Sequence, residues 1–350
     1  MLAHYTSVDG FNGIVTSDTL RMTRSEFMND PSDCKMLGTL IEQYLKESNK
    51  EEGCLEEYKA IEKIYEKVTV MDYIKFIQDN IPLYVLSFTD KLDEMEFWNY
   101  YGNGGAQLNI DEEQLIENMC KQLGEEEYLI CAPVKYASND QNIETICLSE
   151  QLGNLKAYDK NNESVFEKHM ESGGKGIYQK TNIKEFVDSF VTDYVISMQY
   201  LYKSGIIDDS TSKSDVLKEI FKNQNEISES MIFKKDLLMY MISLSALIKT
   251  SSYEYENEKR IVYFHNTVGE KRKKDQYELK SILDQKYIRP YIEFKDVKLY
   301  EGVVGEVLLS PLTRNVPIDD TLYKKIIKEF MQSNHYGDIS VENSKHKCRW

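Results

Sequence analysis

The chain has 350 residues, long enough for one large domain with an insertion or for two smaller domains, and a sizeable core can be buried. Its 43 Lys and Arg stand against 59 Asp and Glu, a formal charge of −16, which argues against broad adhesion to nucleic-acid phosphates or anionic lipid but allows a local basic pocket for one phosphorylated ligand. The six Cys, at 34, 54, 120, 131, 148 and 348, form no Cys-x-x-Cys pair and no zinc-ligand spacing, so reduced thiols in a cytoplasm fit better than a disulfide framework, and no metal is expected.

The N-terminus enters polar, strand-like sequence without a basic head and apolar run, so no secretory signal is expected. MLAHYTS reads as an opening strand in which Leu2, His4 and Thr6 alternate; His4 is either a packed strand residue or a pocket residue. SVDGFNGIVTSDTLRM gives a short helix and a second strand at Leu20 to Thr23. Asn29, Asp30 and Pro31 make a turn that starts the next helix, with Asp30 placed to cap it, and residues 54 to 79 are helical and acidic. IPLYVLSFT, at 81 to 89, suits a strand buried on both faces. DEMEFWNYYGNGGAQLNI follows as one or two helical turns, a glycine-rich loop and a strand from Ala106 to Ile110. In such a turn Trp98 and Tyr101 are i, i+3 neighbours that can wall a pocket together.

YLICAPVKY, at 128 to 136, is another strand, and 140 to 180 is irregular. Its GGKG at 173 to 176 lacks a preceding strand and a following Ser or Thr, so it reads as a turn and not as a phosphate loop. Residues 182 to 252 are helical with a polar break around 205 to 215. The apolar run LLMYMISLSALI at 237 to 248 is shorter than the ~20 residues of a bilayer span and reads as a core helix. Strands at 253 to 265, 287 to 294 and 305 to 310, a helix at 320 to 331 and a strand at 338 to 341 complete the chain. The expected fold is α+β in a single domain, 1–350, with a β-rich core from 1–136 and 253–341 and a mainly helical insertion at about 140–252.

If YEYENEKRIVYF is a strand throughout, Glu256, Glu258 and Arg260 share one face, and Tyr255, Lys259 and Ile261 share the other. In a cleft such carboxylates raise one another's proton affinity while Arg260 holds one ionised. The commoner alternative is a solvated strand end with a surface ion pair. No Ser sits in a Gly-x-Ser-x-Gly elbow, and the remaining histidines, at 169, 265, 335 and 346, form no spaced set.

The order HYTS, FMNDPSD, LSFTD with EFWNYYGNGGAQL, YEYENEKRIVY, GEVLLSP and SKHKCRW resembles the bacterial domain-of-unknown-function family 2971 over nearly the whole chain. Departures from that family's pattern are Phe97 for Met, Lys259 for Trp, Ser310 for Gly, and the long central helical stretch. More loosely, His on a first strand, Ser on a middle strand near a Tyr, and Glu on a late strand is similar to the ADP-ribosyltransferase fold. This resemblance implies a split antiparallel or mixed β core with a large helical insertion, and NAD as co-substrate.

It also implies roles. Glu258 would stabilise the oxocarbenium-like ribose, and Glu256 would position or activate the acceptor. His4, with Tyr5 and Thr6 of the same motif, would hold the cofactor, the neutral imidazole donating to the adenosine ribose. Ser87 would brace the glutamate or the nicotinamide amide, Tyr101 or Trp98 would stack on nicotinamide, and Arg260 or Arg21 would meet the pyrophosphate.

The resulting expectation is an intracellular ADP-ribosyltransferase-like toxin or phage-defence effector, or a close NAD glycohydrolase. Its acceptor is an unknown macromolecule or small molecule, with no membrane, and a protein partner or antitoxin is compatible. Two alternatives stand beside it: a non-catalytic ligand- or protein-binding module on the same fold, and a metal-dependent nuclease using Asp30, Asp33, Glu256 and Glu258.

Overall fold

A computed structural model of the chain describes residues 1–28, 30, 33–47, 67–102, 104–124, 127–138, 141, 156–161, 183–223, 241–265, 280–284, 287–311 and 319–346. The elements are β1 (Leu2–Thr6), α1 (Val8–Ser17), β2 (Leu20–Arg24), α2 (Met36–Glu47), α3 (Val70–Asn80), β3 (Tyr84–Thr89), β4 (Ala106–Ile110), α4 (Glu112–Cys120), β5 (Glu127–Pro133), β6 (Lys135–Ala137) and β7 (Lys156–Tyr158). After these come α5 (Ile183–Lys203), α6 (Lys213–Asn223), β8 (Ile248–Thr250), β9 (Glu258–His265), β10 (Lys280–Asp284), β11 (Tyr287–Phe294), β12 (Val304–Leu309), α7 (Asp320–Ser333) and β13 (Ser340–Asn343).

The protein is mixed α/β, built on a mostly antiparallel open sheet of eleven strands among the described residues. Strand β3 is its hub. One edge of β3 pairs with β9 along its whole length, from Tyr84 opposite Tyr263 to Thr89 opposite Glu258, and β9 continues to β5 and β7. The other edge is shared: β2 takes its start, with Thr23 opposite Val85, and β1 takes its end, with Ala3 opposite Thr89. Beyond β2 lie β11 and β10; beyond β1 lie β4, β12 and β13. The sheet therefore splits along one edge of β3 between Val85 and Thr89.

Both sheet faces are covered, which explains why β3 and β9 read as near-continuous apolar runs. Val85, Val262 and Phe264 enter a core with α2, α3, α5, α6 and the segment 241–248, whereas Leu86, Ile261 and Tyr263 enter a second core with α1, α4 and α7. Close approach decides one glycine of the GNGG loop: a Cβ on Gly105 would lie 2.2 Å from the Thr6 carbonyl oxygen, so β4 can start beside β1 only with Gly there.

Three sequence expectations need correction. Residues 251–256 form a 3-10 turn closed by Asn257 at φ 41°, so the strand begins at Glu258 rather than 253. Thr89 Oγ1 donates to the Glu256 carbonyl at 2.8 Å and Lys91 Nζ to that of Tyr255 at 2.6 Å, contacts from the end of β3 and the residues just after it that override the local β propensity. Residues 248–250 are strand, not helix, and pair in parallel with β6 in a separate two-stranded ribbon. That pairing also ends the 128–136 strand at Pro133 and starts β6 at Lys135. The helical expectation over 54–66, much of the irregular 140–180 stretch with its GGKG, the helical expectation over 224–240, and positions 29, 31, 32 and 347–350 lie outside the described residues.

Candidate functional site

The split in the sheet opens into a cleft of about 210 Å³. His4, Tyr5, Ser87, Tyr101, Glu256 and Glu258 line it, together with Arg21, Asp33, Lys249 and Arg289. Residues from the first strand, the middle strand, the turn after it and the late acidic segment thus converge on one hollow. The register assigns them to faces. Ser87, Glu258 and Arg260 share the face of Val85, as do Ala3 and Tyr5 of β1 and Arg21 and Thr23 of β2. His4 leaves β1 on the reverse face, against Phe88 at 5.7 Å between ring centres.

A hydrogen-bonded ion network forms the floor. Arg260 uses all of its donor groups: Nε and Nη2 reach Glu258 Oε1 and Oε2 at 2.8 and 3.0 Å. Its Nη1 and Nη2 reach Asp33 Oδ1 and Oδ2 at 2.6 and 2.7 Å, and Nη1 also reaches the Ala246 carbonyl at 2.7 Å. Lys249 Nζ donates to Glu256 Oε2 at 2.7 Å and Glu258 Oε2 at 3.1 Å. Ser87 Oγ donates to Glu258 Oε1 and Tyr101 Oη to Glu256 Oε1, each at 2.5 Å, while the Glu258 amide donates to Tyr136 Oη at 2.8 Å. Within this network three carboxylates face two cations, so one negative charge is in surplus.

Burial opposes ionisation of Glu258, but the neighbouring Arg260 and Lys249 outweigh it and hold the carboxyl at about 2. The Lys249 ammonium is likewise opposed by burial and raised by Glu258 and Glu256. The Tyr101 phenol is pushed up by burial and by its bond to Glu256, so it stays a donor. Burial lowers the His4 imidazole and keeps it neutral. Its Nδ1 lies 3.2 Å from the Ser87 carbonyl, which only accepts, so Nδ1 carries the proton and Nε2 is an acceptor.

The predicted site residues are therefore sorted by the structure. Ser87, Tyr101, Glu256 and Glu258 come together on one side of the cleft. Glu256 does so from the turn rather than by strand alternation. Arg260 is fully buried with every donor group engaged by protein, so it is a brace for Glu258 and not a pyrophosphate ligand; the alternative of a solvated surface pair fails for the same reason. Trp98 is completely buried, with Nε1 donating to Asp93 Oδ1 at 2.9 Å, and does not line the cleft. Thr6 is also buried away from the lining. Tyr5 lines the cleft but its hydroxyl donates to the Lys91 carbonyl and accepts the Glu94 amide, both at 3.0 Å. His4 has its one proton on Ser87, which rules out donation to a ribose. Arg21 is half-exposed on the cleft wall, paired with Glu293 at 3.2 Å and stacked over Tyr291. Asp33 and both glutamates are held by Arg260 and Lys249, so a nuclease's metal would have to displace two buried cations.

Sequence reasoning missed Lys249, Tyr136 and Arg289, and gave Asp33 a metal role only. Lys249 follows a long apolar run read as helix, and its one sequence signal is a lone cation after LSALI. In comparisons with known proteins, the chain matches no family model, no curated protein and no solved structure. No helix among the described residues is long and apolar enough to cross a membrane.

Proposed function

We propose that the cleft cleaves the nicotinamide–ribose bond of NAD on an ADP-ribosyltransferase-like fold, as the resemblance to that fold implies. The observation that carries this reading is the convergence of Ser87, Tyr101, Glu256 and an ionised Glu258 on one cleft whose floor holds a surplus negative charge. NAD pairs a cationic nicotinamide with an anionic pyrophosphate. Glu258 and Glu256 suit the cation and the oxocarbenium-like ribose that follows it, Tyr101 offers a ring face, and Arg21 and Arg289 on the wall suit phosphate. The cleft volume is below the ~300–1,000 Å³ of drug-sized ligand sites, so the floor takes the nicotinamide ribose and leaves the adenosine half to the wall and rim. The acceptor is water or a further molecule; NAD depletion or acceptor modification would make the chain a toxin or phage-defence effector.

The test is nicotinamide release from NAD by wild type and Glu258→Gln, with circular dichroism confirming the fold. A loss of several orders of magnitude in the variant is expected, and equal release by both refutes the reading. Label on the adenosine moiety separates transfer from hydrolysis, because transfer leaves label on a macromolecule.

One observation favours a second reading, a non-catalytic binding module. Glu258 has about four lone-pair sites, and the hydroxyl of Ser87, the ammonium of Lys249 and two N–H groups of the Arg260 guanidinium already occupy them. Catalysis requires Ser87 to turn away so that a ribose hydroxyl can replace it. A thermal shift with NAD but no nicotinamide release identifies the module, since ligand at a hundredfold its Kd adds about 2.7 kcal/mol.

A further inference from the structure

Glu256 and Glu258 belong to different backbone elements. Asn257, at φ 41°, ends the 3-10 turn in the left-handed region, so strand alternation does not carry the two carboxylates to one face. Lys249 joins them instead. Its ammonium lies 2.7 Å from one carboxylate and 3.1 Å from the other, its side chain is 6% exposed, and the Tyr253 ring closes over it at 4.5 Å. Lys249 arrives on β8, where it is the register partner of Tyr136 on β6. Tyr136 Oη in turn accepts the Glu258 amide. The small ribbon thus grips Glu258 through both backbone and side chain.

We propose that the β6–β8 ribbon positions the acidic pair, with Lys249 the positioning residue that holds Glu256 beside Glu258 and limits the floor to one surplus negative charge. This rests on reading the cleft as a site for a group that carries or develops positive charge. The charged groups facing Lys249 are Glu256 from the turn and Glu258 and Arg260 from β9, with Asp33 beyond Arg260. The nearby phenols are Tyr253, Tyr101 and Tyr136. Asp30, Arg21 and Arg289 stand on the cleft wall, and His4 lies across the split. Removing the ammonium leaves three carboxylates against Arg260 alone. Folding then forces one of them to take up a proton, so the folded variant binds that proton more tightly than the unfolded chain and loses stability as pH rises.

The experiment is thermal unfolding of wild type, Lys249→Met, Lys249→Arg and the double variant Lys249→Met/Glu256→Gln from about pH 5 to 8, with nicotinamide release measured alongside. The gap between Lys249→Met and wild type is expected to widen as pH rises, Lys249→Arg to track wild type, and the double variant to recover folding with a pH-independent gap. Turnover in Lys249→Met is expected to fall at least about tenfold in kcat and to return in Lys249→Arg. A gap equal at every pH, or a double variant no better folded than Lys249→Met, overturns the proposal, because a merely space-filling lysine gives that result. If the gap widens as expected while wild type releases no nicotinamide, the role of Lys249 stands and the NAD reading falls.

Discussion

Replacing Arg260 by Met tests whether the ion network holds the fold as well as the site. The side chain is fully buried, and the substitution removes five hydrogen bonds: two to Glu258, two to Asp33 and one to the Ala246 carbonyl. Lys249 still serves Glu258, so the main casualty is Asp33, left buried without its guanidinium. Breaking a buried pair by removing one partner costs about 3–5 kcal/mol, a large part of the ~5–15 kcal/mol that a domain has. The midpoint of thermal unfolding should fall by roughly 4–7 °C. Lysine should not rescue it, since one ammonium cannot replace a fork that grips two carboxylates.

The pH dependence adds a sign. In wild type the Glu258 carboxyl sits at about 2, below the ~4.3 of an unfolded glutamate, so its contribution is present above about pH 4.3 and lost as pH falls toward 2. In Arg260→Met the unmatched carboxylates favour protonation, so the gap from wild type narrows below about pH 5. Urea unfolding followed by circular dichroism at several pH values measures it. A gap under about 1 kcal/mol at pH 7, or one that ignores pH, refutes the reasoning.

Two further outcomes are expected. Nitrogen NMR should show His4 neutral with the proton on Nδ1 and titrating below 6.5, so that its contribution to stability is present above about pH 6.5 and lost as pH falls through the lowered value; an Nε2–H tautomer would contradict the bond to Ser87. Gly105→Ala should cost about 1–3 kcal/mol or more, because a Cβ there meets the Thr6 carbonyl at 2.2 Å and the Ser7 carbonyl carbon at 2.4 Å; an unchanged melting temperature would show that β1 and β4 can separate.

Local pattern was enough for much of the framework. The alternation of MLAHYT, the two-faced apolar runs LYVLSF and RIVYF and the helical pattern at 320 to 331 all state their element types in residues next to one another. Ser87 is picked out by the resemblance alone, Tyr101 also by its spacing from Trp98, and Glu258 also by its strand alternation with Arg260. Local pattern failed at YEYEN, where the Thr89 and Lys91 side chains donate to backbone carbonyls and hold a turn that the β-forming side chains argue against.

What the chain's order of residues determines by itself is which segments become strands and helices and which polar groups they carry inward. Only the tertiary structure decided what those groups meet. The division of one β3 edge between β1 and β2 opened the cleft, the register set Arg260 against Glu258 and Asp33, and a short ribbon brought Lys249 to the acidic pair. Buried charges take their roles from partners far away in sequence, because in a low-dielectric interior each must be matched by whichever opposite charge the packing brings within a few ångströms.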